Sequence, residues 1–365
     1  MLFAPLVGCG AKLLNGEAGL DDTGAADAQS VRDTLAPDSH VSDPPSDSAG
    51  ELPAEDTADD VPAVDSADEA EAPGIPCLDD STTPTFLVAA NGYNLILDAT
   101  YVYWADTTLG GGGVRRVPKK CGGTPKLVVD DYYGAHGVAL DATRVYWTTW
   151  WDKALFKRAP LEGGAHVVIT AGDWSTGGPG MIAVDGTRGF FTSAAKTVVT
   201  VPLSGGTPEV LARGNISRYF AMDHGDLYFG EYGASGSVKK VSKSGGTAVI
   251  FAPESYVGDI VVDATAVYWT AWQTSSDGRV MKKSKAGGAV TTLASGESVP
   301  SRLALDADNV YWTNQSSGTV RAIAKTGGAA RTLATDQPVV EGIAVDETNV
   351  YWISYEKKAI FKRRK

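Results

Sequence analysis

Six polar side chains stand at matching points along the chain, just ahead of short apolar runs: Asn94, His136, Arg218, Asp259, Arg302 and Glu341. Gathered around one axis, His136, Asp259, Glu341 and the two arginines could move protons or hold a metal ion, the chemistry of a lyase or lactonase. A second set is aromatic. Tyr132, Tyr133, Trp150, Trp151, Trp174, Tyr232, Tyr256, Trp272 and Tyr355 fall in stretches expected to be loops. Rings in loops, interleaved with polar groups, suit stacking on sugars or gripping peptides, because their area is costly to leave in water. Trp150 and Trp151 are the foremost pair, since adjacent side chains of an extended segment cannot both face inward.

Strings that look catalytic do not survive their context. Ser193-Ala194-Ala195-Lys196 matches S-x-x-K and Lys325-Thr326-Gly327 matches K-T-G, but that chemistry needs a serine carried on a helix. No helical period surrounds Ser193, and the second string recurs as Lys243-Ser244-Gly245 and Lys285-Ala286-Gly287. Gly110 to Gly113 lacks the Lys-Ser/Thr of a phosphate loop. His40, His136, His166 and His224 form no H-x-x-x-H and no Cys/His cluster, so no metal site and no cofactor are expected.

The elements that must position these residues come from a repeat. Seven times an Asp closes a short apolar run and an aromatic pair begins five residues later: Asp98 with Tyr103-Trp104, Asp141 with Tyr146-Trp147, Asp185 with Phe190-Phe191, Asp223 with Tyr228-Phe229, Asp263 with Tyr268-Trp269, Asp306 with Tyr311-Trp312 and Asp346 with Tyr351-Trp352. Neighbouring Asp positions lie 38 to 44 residues apart. Repeats of about 40 residues built from short β-type runs mark propeller blades. Each unit reads as four strands. The first is apolar on both faces, the Asp turns the chain by accepting a backbone hydrogen bond, the ring pair fills the space between blades, and a double glycine such as Gly327-Gly328 makes the last hairpin. The seventh unit lacks its fourth strand, while Thr83-Pro84-Thr85-Phe86-Leu87-Val88 resembles one. The expected fold is therefore all-β: a seven-bladed propeller of four-stranded antiparallel blades, closed by one N-terminal and three C-terminal strands, which leaves no open seam.

The Tyr-Trp-Thr cores and glycine hairpins resemble the YWTD-repeat β-propellers of the low-density-lipoprotein-receptor family and their bacterial relatives, over roughly residues 83 to 365. Only Tyr103-Trp104-Ala105-Asp106 keeps the closing acid, and the receptor propellers have six blades rather than seven. The resemblance implies the fold, not the receptors' ligands or calcium.

Charge divides the chain in two. The net charge is −12, of which residues 1 to 80 carry −17 and residues 81 to 365 carry +5. Residues 10 to 80 are mostly Asp, Glu, Ala, Ser and Pro and cannot bury enough apolar area to offset ordering entropy, so they are expected to be a disordered spacer reaching about 45 Å. Residues 1 to 9 end in Leu6-Val7-Gly8-Cys9, which resembles a lipobox, so Cys9 is the expected lipidation site and the protein is expected to be exported to a bacterial outer membrane or cell surface. Cys77 and Cys121 are expected to pair as a disulfide, because the repeat places both on one rim of adjacent blades. The third strands also carry a basic band (Arg115-Arg116, Lys157-Arg158, Lys239-Lys240, Lys282-Lys283, Arg321, Lys362-Arg363) that is either a solvated outer face or a grip for acidic groups.

The expectation for residues 81 to 365 is a monomeric, non-catalytic module that recognises a glycan, a peptide or an envelope or extracellular protein, is tethered to the membrane by lipid, and has no nucleic-acid partner. A propeller enzyme of lyase or lactonase type and a purely structural envelope module are the alternatives.

Overall fold

A computed structural model describes residues 77–149, 156–171, 180–193 and 195–365. Cys9, the spacer as far as residue 76, Trp150, Trp151 and Trp174 lie outside the described residues. The described chain forms seven four-stranded antiparallel sheets, six of them in plain sequential order. Their innermost strands are Gly92–Leu97, Val138–Leu140, Ile182–Val184, Ile216–Met222, Val257–Val262, Pro300–Leu305 and Val340–Val345. The seventh sheet completes itself with the N-terminal strand Thr85–Ala89, which pairs antiparallel with Ala359–Arg364. The ring is thus a seven-bladed propeller closed by one N-terminal and three C-terminal strands. Cys77 and Cys121 are joined as a disulfide with a Cα–Cα distance of 5.4 Å.

The repeated Asp does more than turn the chain. Asp306 Oδ1 accepts the backbone N–H groups of Asp308 and Asn309, while Oδ2 accepts the Tyr311 hydroxyl at 2.7 Å. The same tyrosine clasp recurs at Asp98, Asp141, Asp263 and Asp346. Oδ2 also faces the next blade, and there a lysine from the turn after the third strand meets it: Lys243 with Asp185 (3.0 Å), Lys285 with Asp223 (2.7 Å), Lys325 with Asp263 (2.8 Å), Lys365 with Asp306 (2.6 Å) and Lys119 with Asp346 (3.3 Å). The last pair crosses the closure seam. Several of these ammonium groups lie 5.6 to 6.0 Å from the centre of the ring beside the Asp, close enough for cation–π attraction. In the second and third blades the lysine position holds Leu161 and Leu203, which pack into the core instead.

A second bolt joins four of the neighbouring blade pairs at the opposite rim, wherever the aromatic pair ends in a Trp that finds an acceptor. The Trp147 indole N–H donates to Asp131 of the preceding blade (2.7 Å), and Lys157 pairs with the same oxygen at 2.8 Å. Trp269 and Arg279 meet Glu254, while Trp312, Asn314 and Arg321 all meet Glu297. Trp352 donates to Gln337. Trp104 breaks the series: its buried N–H has no partner among the described residues, because the N-terminal strand ends in Ala89 and Ala90 rather than an acid. The basic band is largely consumed by such contacts. Arg115 pairs with Asp106 and Lys239 with Glu231, while Arg116, Arg158, Lys282 and Lys362 donate to backbone carbonyls of the adjoining blade. Much of the band therefore fastens blades together rather than standing solvated.

Candidate functional site

In a meander the connections entering each first strand and those leaving each aromatic strand emerge on one end of the ring. All of the sequence-predicted site residues within the described chain belong to this end. They separate into a buried axial ring and an outer set of rings.

The axial ring is built by a repeated irregularity. The pairing of first and second strands shifts between Tyr93 and Leu95, Ile216 and Phe220, Val257 and Ile260, Pro300 and Arg302, and Val340 and Gly342. A bulge frees backbone N–H groups and re-aims side chains. The threonine that follows the aromatic pair takes up the freed groups: Thr148 Oγ1 accepts the Gly137 N–H (3.0 Å), Thr270 that of Asp259 (2.9 Å) and Thr313 that of Arg302 (3.2 Å). In the first blade Asn94 sits at φ 56°, a left-handed geometry that asparagine tolerates well.

The ring residues are held by each other across blade boundaries. Asp259 accepts the backbone N–H of Ile260 and of Leu303 in the next blade, both at 2.9 Å. Arg302 donates to Glu341 at 3.0 Å, with both side chains buried, and its guanidinium lies 4.6 Å above the Tyr219 ring. Asn94 Nδ2 donates to the His136 carbonyl. Tyr93 stacks on His136 with centroids 5.5 Å apart, and Tyr355 stacks on Tyr93 at 5.2 Å and 7°, so a column of three rings spans the seventh, first and second blades. Arg218, by contrast, is exposed. Among the described residues the third blade carries Gly180 and Met181 just before its first strand.

Burial shapes the protonation of the ring. It pushes the Asp259 carboxyl up to about 6, against the pull of Arg302 and the two N–H donors. It pushes the His136 imidazole down to about 4, with Arg218 adding to the effect, so this ring is uncharged at neutral pH. The Tyr219 hydroxyl is also raised by burial. Among the described residues no three His, Cys, Asp or Glu side chains converge as metal ligands.

The outer set is presented by strained turns. Tyr256, Val299 and Val339, each just before a first strand, adopt φ of 52°, 57° and 47°. For a β-branched residue this is a real cost, about 1–3 kcal/mol. Each carbonyl accepts the backbone N–H of the residue three past the aromatic pair: Trp272 on Tyr256, Gln315 on Val299, Tyr355 on Val339, and likewise Tyr232 on Asn215. Tyr232, Trp272 and Tyr355 therefore share one repeat position. Tyr232 and Tyr256 meet edge to face at 5.4 Å, as do Tyr132 and Tyr133 at 5.2 Å. The Trp272 ring lies so close to Gly258 that a Cβ there would sit 2.1 Å from Cζ3, so any side chain at this position beside Asp259 would push the Trp272 ring aside.

Tyr93 and Tyr219 belong to the axial ring but escape a reading by strand alternation. A bulge shifts the register, by one residue after Tyr93 and by two before Phe220, so two successive residues of a blade both reach the axis. The signal available in sequence was narrower: a ring three residues beyond the aromatic pair picks out Tyr232, Trp272, Tyr355 and also Trp150.

No known protein family matches the sequence, and no curated protein matches it either. Solved structures do resemble the fold. Virginiamycin B lyase from Staphylococcus aureus superposes with a TM-score of 0.60 at 12% identity, covering 77% of this chain and 97% of that one. A computationally designed protein gives 0.56 at 14% identity, covering 74% and 82%. A nidogen/laminin complex chain gives 0.48 at 21% identity, covering 62% and 90%. At these identities the likeness to the first two is one of fold alone.

Proposed function

We propose that the protein is a non-catalytic recognition propeller that captures a glycan or peptide at its loop face. One observation carries the reading: among the described residues, the three large aromatic side chains classed as exposed, Tyr132 at 64%, Tyr232 at 52% and Tyr355 at 37%, all stand on this one end of the ring. Rings left wet, with Tyr232 and Tyr355 each fixed by a backbone hydrogen bond to the turn before the first strand, are what a stacking surface requires. The axial carboxylates are already engaged: Asp259 by two backbone N–H groups and Glu341 by Arg302. That arrangement favours holding over turnover. The disulfide fits an oxidising compartment, which supports export, and display from the envelope through Cys9 completes the proposal.

The test is a binding screen against envelope polysaccharides and extracellular peptides. The double change Tyr232→Ala with Tyr355→Ala should abolish the capture seen with the native chain while the thermal midpoint stays within a few degrees. Capture unaffected by the double change would reject this face. A second reading, an acid–base enzyme, draws only on the raised Asp259 carboxyl. Turnover of a candidate substrate that is lost in Asp259→Asn would favour it.

A further inference from the structure

Arg302 is 2% exposed, and its guanidinium is fixed from two sides by Glu341 at Nη2 and by the Tyr219 ring beneath it. Its Nη1 is buried with no acceptor among the described residues. A buried donor left without an acceptor is destabilising, and one on a charged group more so. Arg218 stands next to Tyr219 in the chain, so the residue beside it touches Arg302 across the axis. Arg218 is exposed, and its charge is felt at His136 and at Tyr219. Two guanidinium groups, one exposed and one buried, thus share a ring in which His136 carries no charge at neutral pH and both carboxylates are already engaged, Asp259 by two N–H groups and Glu341 by Arg302. His136, on which the Arg218 charge acts, is the base of the Tyr355–Tyr93–His136 column, whose outermost ring, Tyr355, is exposed.

We propose that this mouth binds a carboxylated sugar, a uronate unit of an acidic glycan, with its ring against Tyr355 and its carboxylate directed to Arg218 and Arg302. This rests on the recognition reading and narrows it. A guanidinium pairs with a carboxylate through two parallel hydrogen bonds, and a sugar ring offers C–H groups to an aromatic face. A neutral glycan would use only the second contact.

The test uses the full chain and calorimetric titration with a four-unit oligogalacturonate, its carboxyl-reduced neutral counterpart, and citrate as a competitor. The acidic oligomer should bind about tenfold or more tighter than the neutral one, and Arg218→Gln should remove most of that difference with an unchanged thermal midpoint. Arg218 is exposed, so the variant should fold; Arg302→Gln, read alongside its melting curve, should weaken binding as well. Equal binding of acidic and neutral oligomers would overturn the uronate site and leave the recognition face standing. Displacement by citrate as effective as by the oligomer, or native affinity in Arg218→Gln, would also overturn it. Binding of neither oligomer would do the same, and the Tyr232 and Tyr355 screen would then judge the face separately.

Discussion

Reducing Cys77–Cys121 should weaken the whole ring, although it touches only its rim. The bridge closes a loop with a sequence separation of 44, and that loop contains both the closing strand Thr85–Ala89 and the first three strands of the first blade. A cross-link of this span removes about 4 kcal/mol of chain entropy from the unfolded state. Unfolding entropy of about 2 cal/mol/K per residue over residues 77–365 converts this to a melting shift of about 7 °C. The native seam should survive reduction. Asp79 still accepts from Cys121 N–H (3.0 Å) and Lys362 (2.6 Å), and the Arg364 N–H still donates to Ser81. The assay is a near-ultraviolet circular dichroism melt with and without reductant, on the native chain and on Cys77→Ser with Cys121→Ser. Reductant should lower the native midpoint by about 7 °C and leave the double variant unmoved at the reduced value. No shift on reduction, or an equal shift in the variant, would refute the loop-entropy argument.

Glu297→Ala strands the Trp312 and Asn314 donors and the Arg321 guanidinium at a buried inter-blade bolt, so urea unfolding should show a loss of about 3–5 kcal/mol; a loss below about 1 kcal/mol would mean that water replaces the carboxylate. Two pH slopes of opposite sign should appear. Asp306, where Lys365, Tyr311 and backbone N–H groups more than offset burial, is held down to about 2, below its unfolded value, so the native state binds fewer protons. Its stabilisation is present above pH 4 and should fade as pH falls toward 2, by about 2 kcal/mol. Asp259 is raised to about 6 by burial, so the native state binds the extra proton and its contribution to stability should drop as pH climbs from 4 through 6, while His136, pushed down to about 4, contributes a rise over the same range. Melting curves of the native chain and Asp259→Asn over pH 4 to 7 separate the two: the variant should gain stability with pH more steeply than the native chain, and parallel curves would refute the Asp259 assignment.

The architecture was legible in the sequence because it is written in periodic, local terms. Seven Asp and aromatic-pair units, a missing last strand and a strand-like run at Thr83 to Val88 suffice to specify a ring and its fastening, since each blade must bury the same two faces against its neighbours. The Asp98 to Asp346 series was legible as turns for the same reason: the backbone hydrogen bonds span two or three residues. Its second role was not. The Lys325–Asp263 contact lies 62 residues apart in sequence, and Arg302–Glu341 lies 39 apart, so both depend on how blades are set around the axis.

Position within the repeat therefore placed the polar residues at the axial end, whereas the tertiary structure decided their state. Asn94, His136, Asp259, Arg302 and Glu341 sit inside, buried and tied across blades, while Tyr132, Tyr232 and Tyr355 stay wet. Tyr93 and Tyr219 joined the ring only through bulges that shift the strand register, by one residue in the first blade and by two in the fourth, an irregularity no alternating pattern encodes. Local hydrogen bonding and apolar period are properties of neighbouring residues and survive in a linear text. Burial, charge pairing and strain are properties of the closed ring, and they exist only once all seven blades are in place.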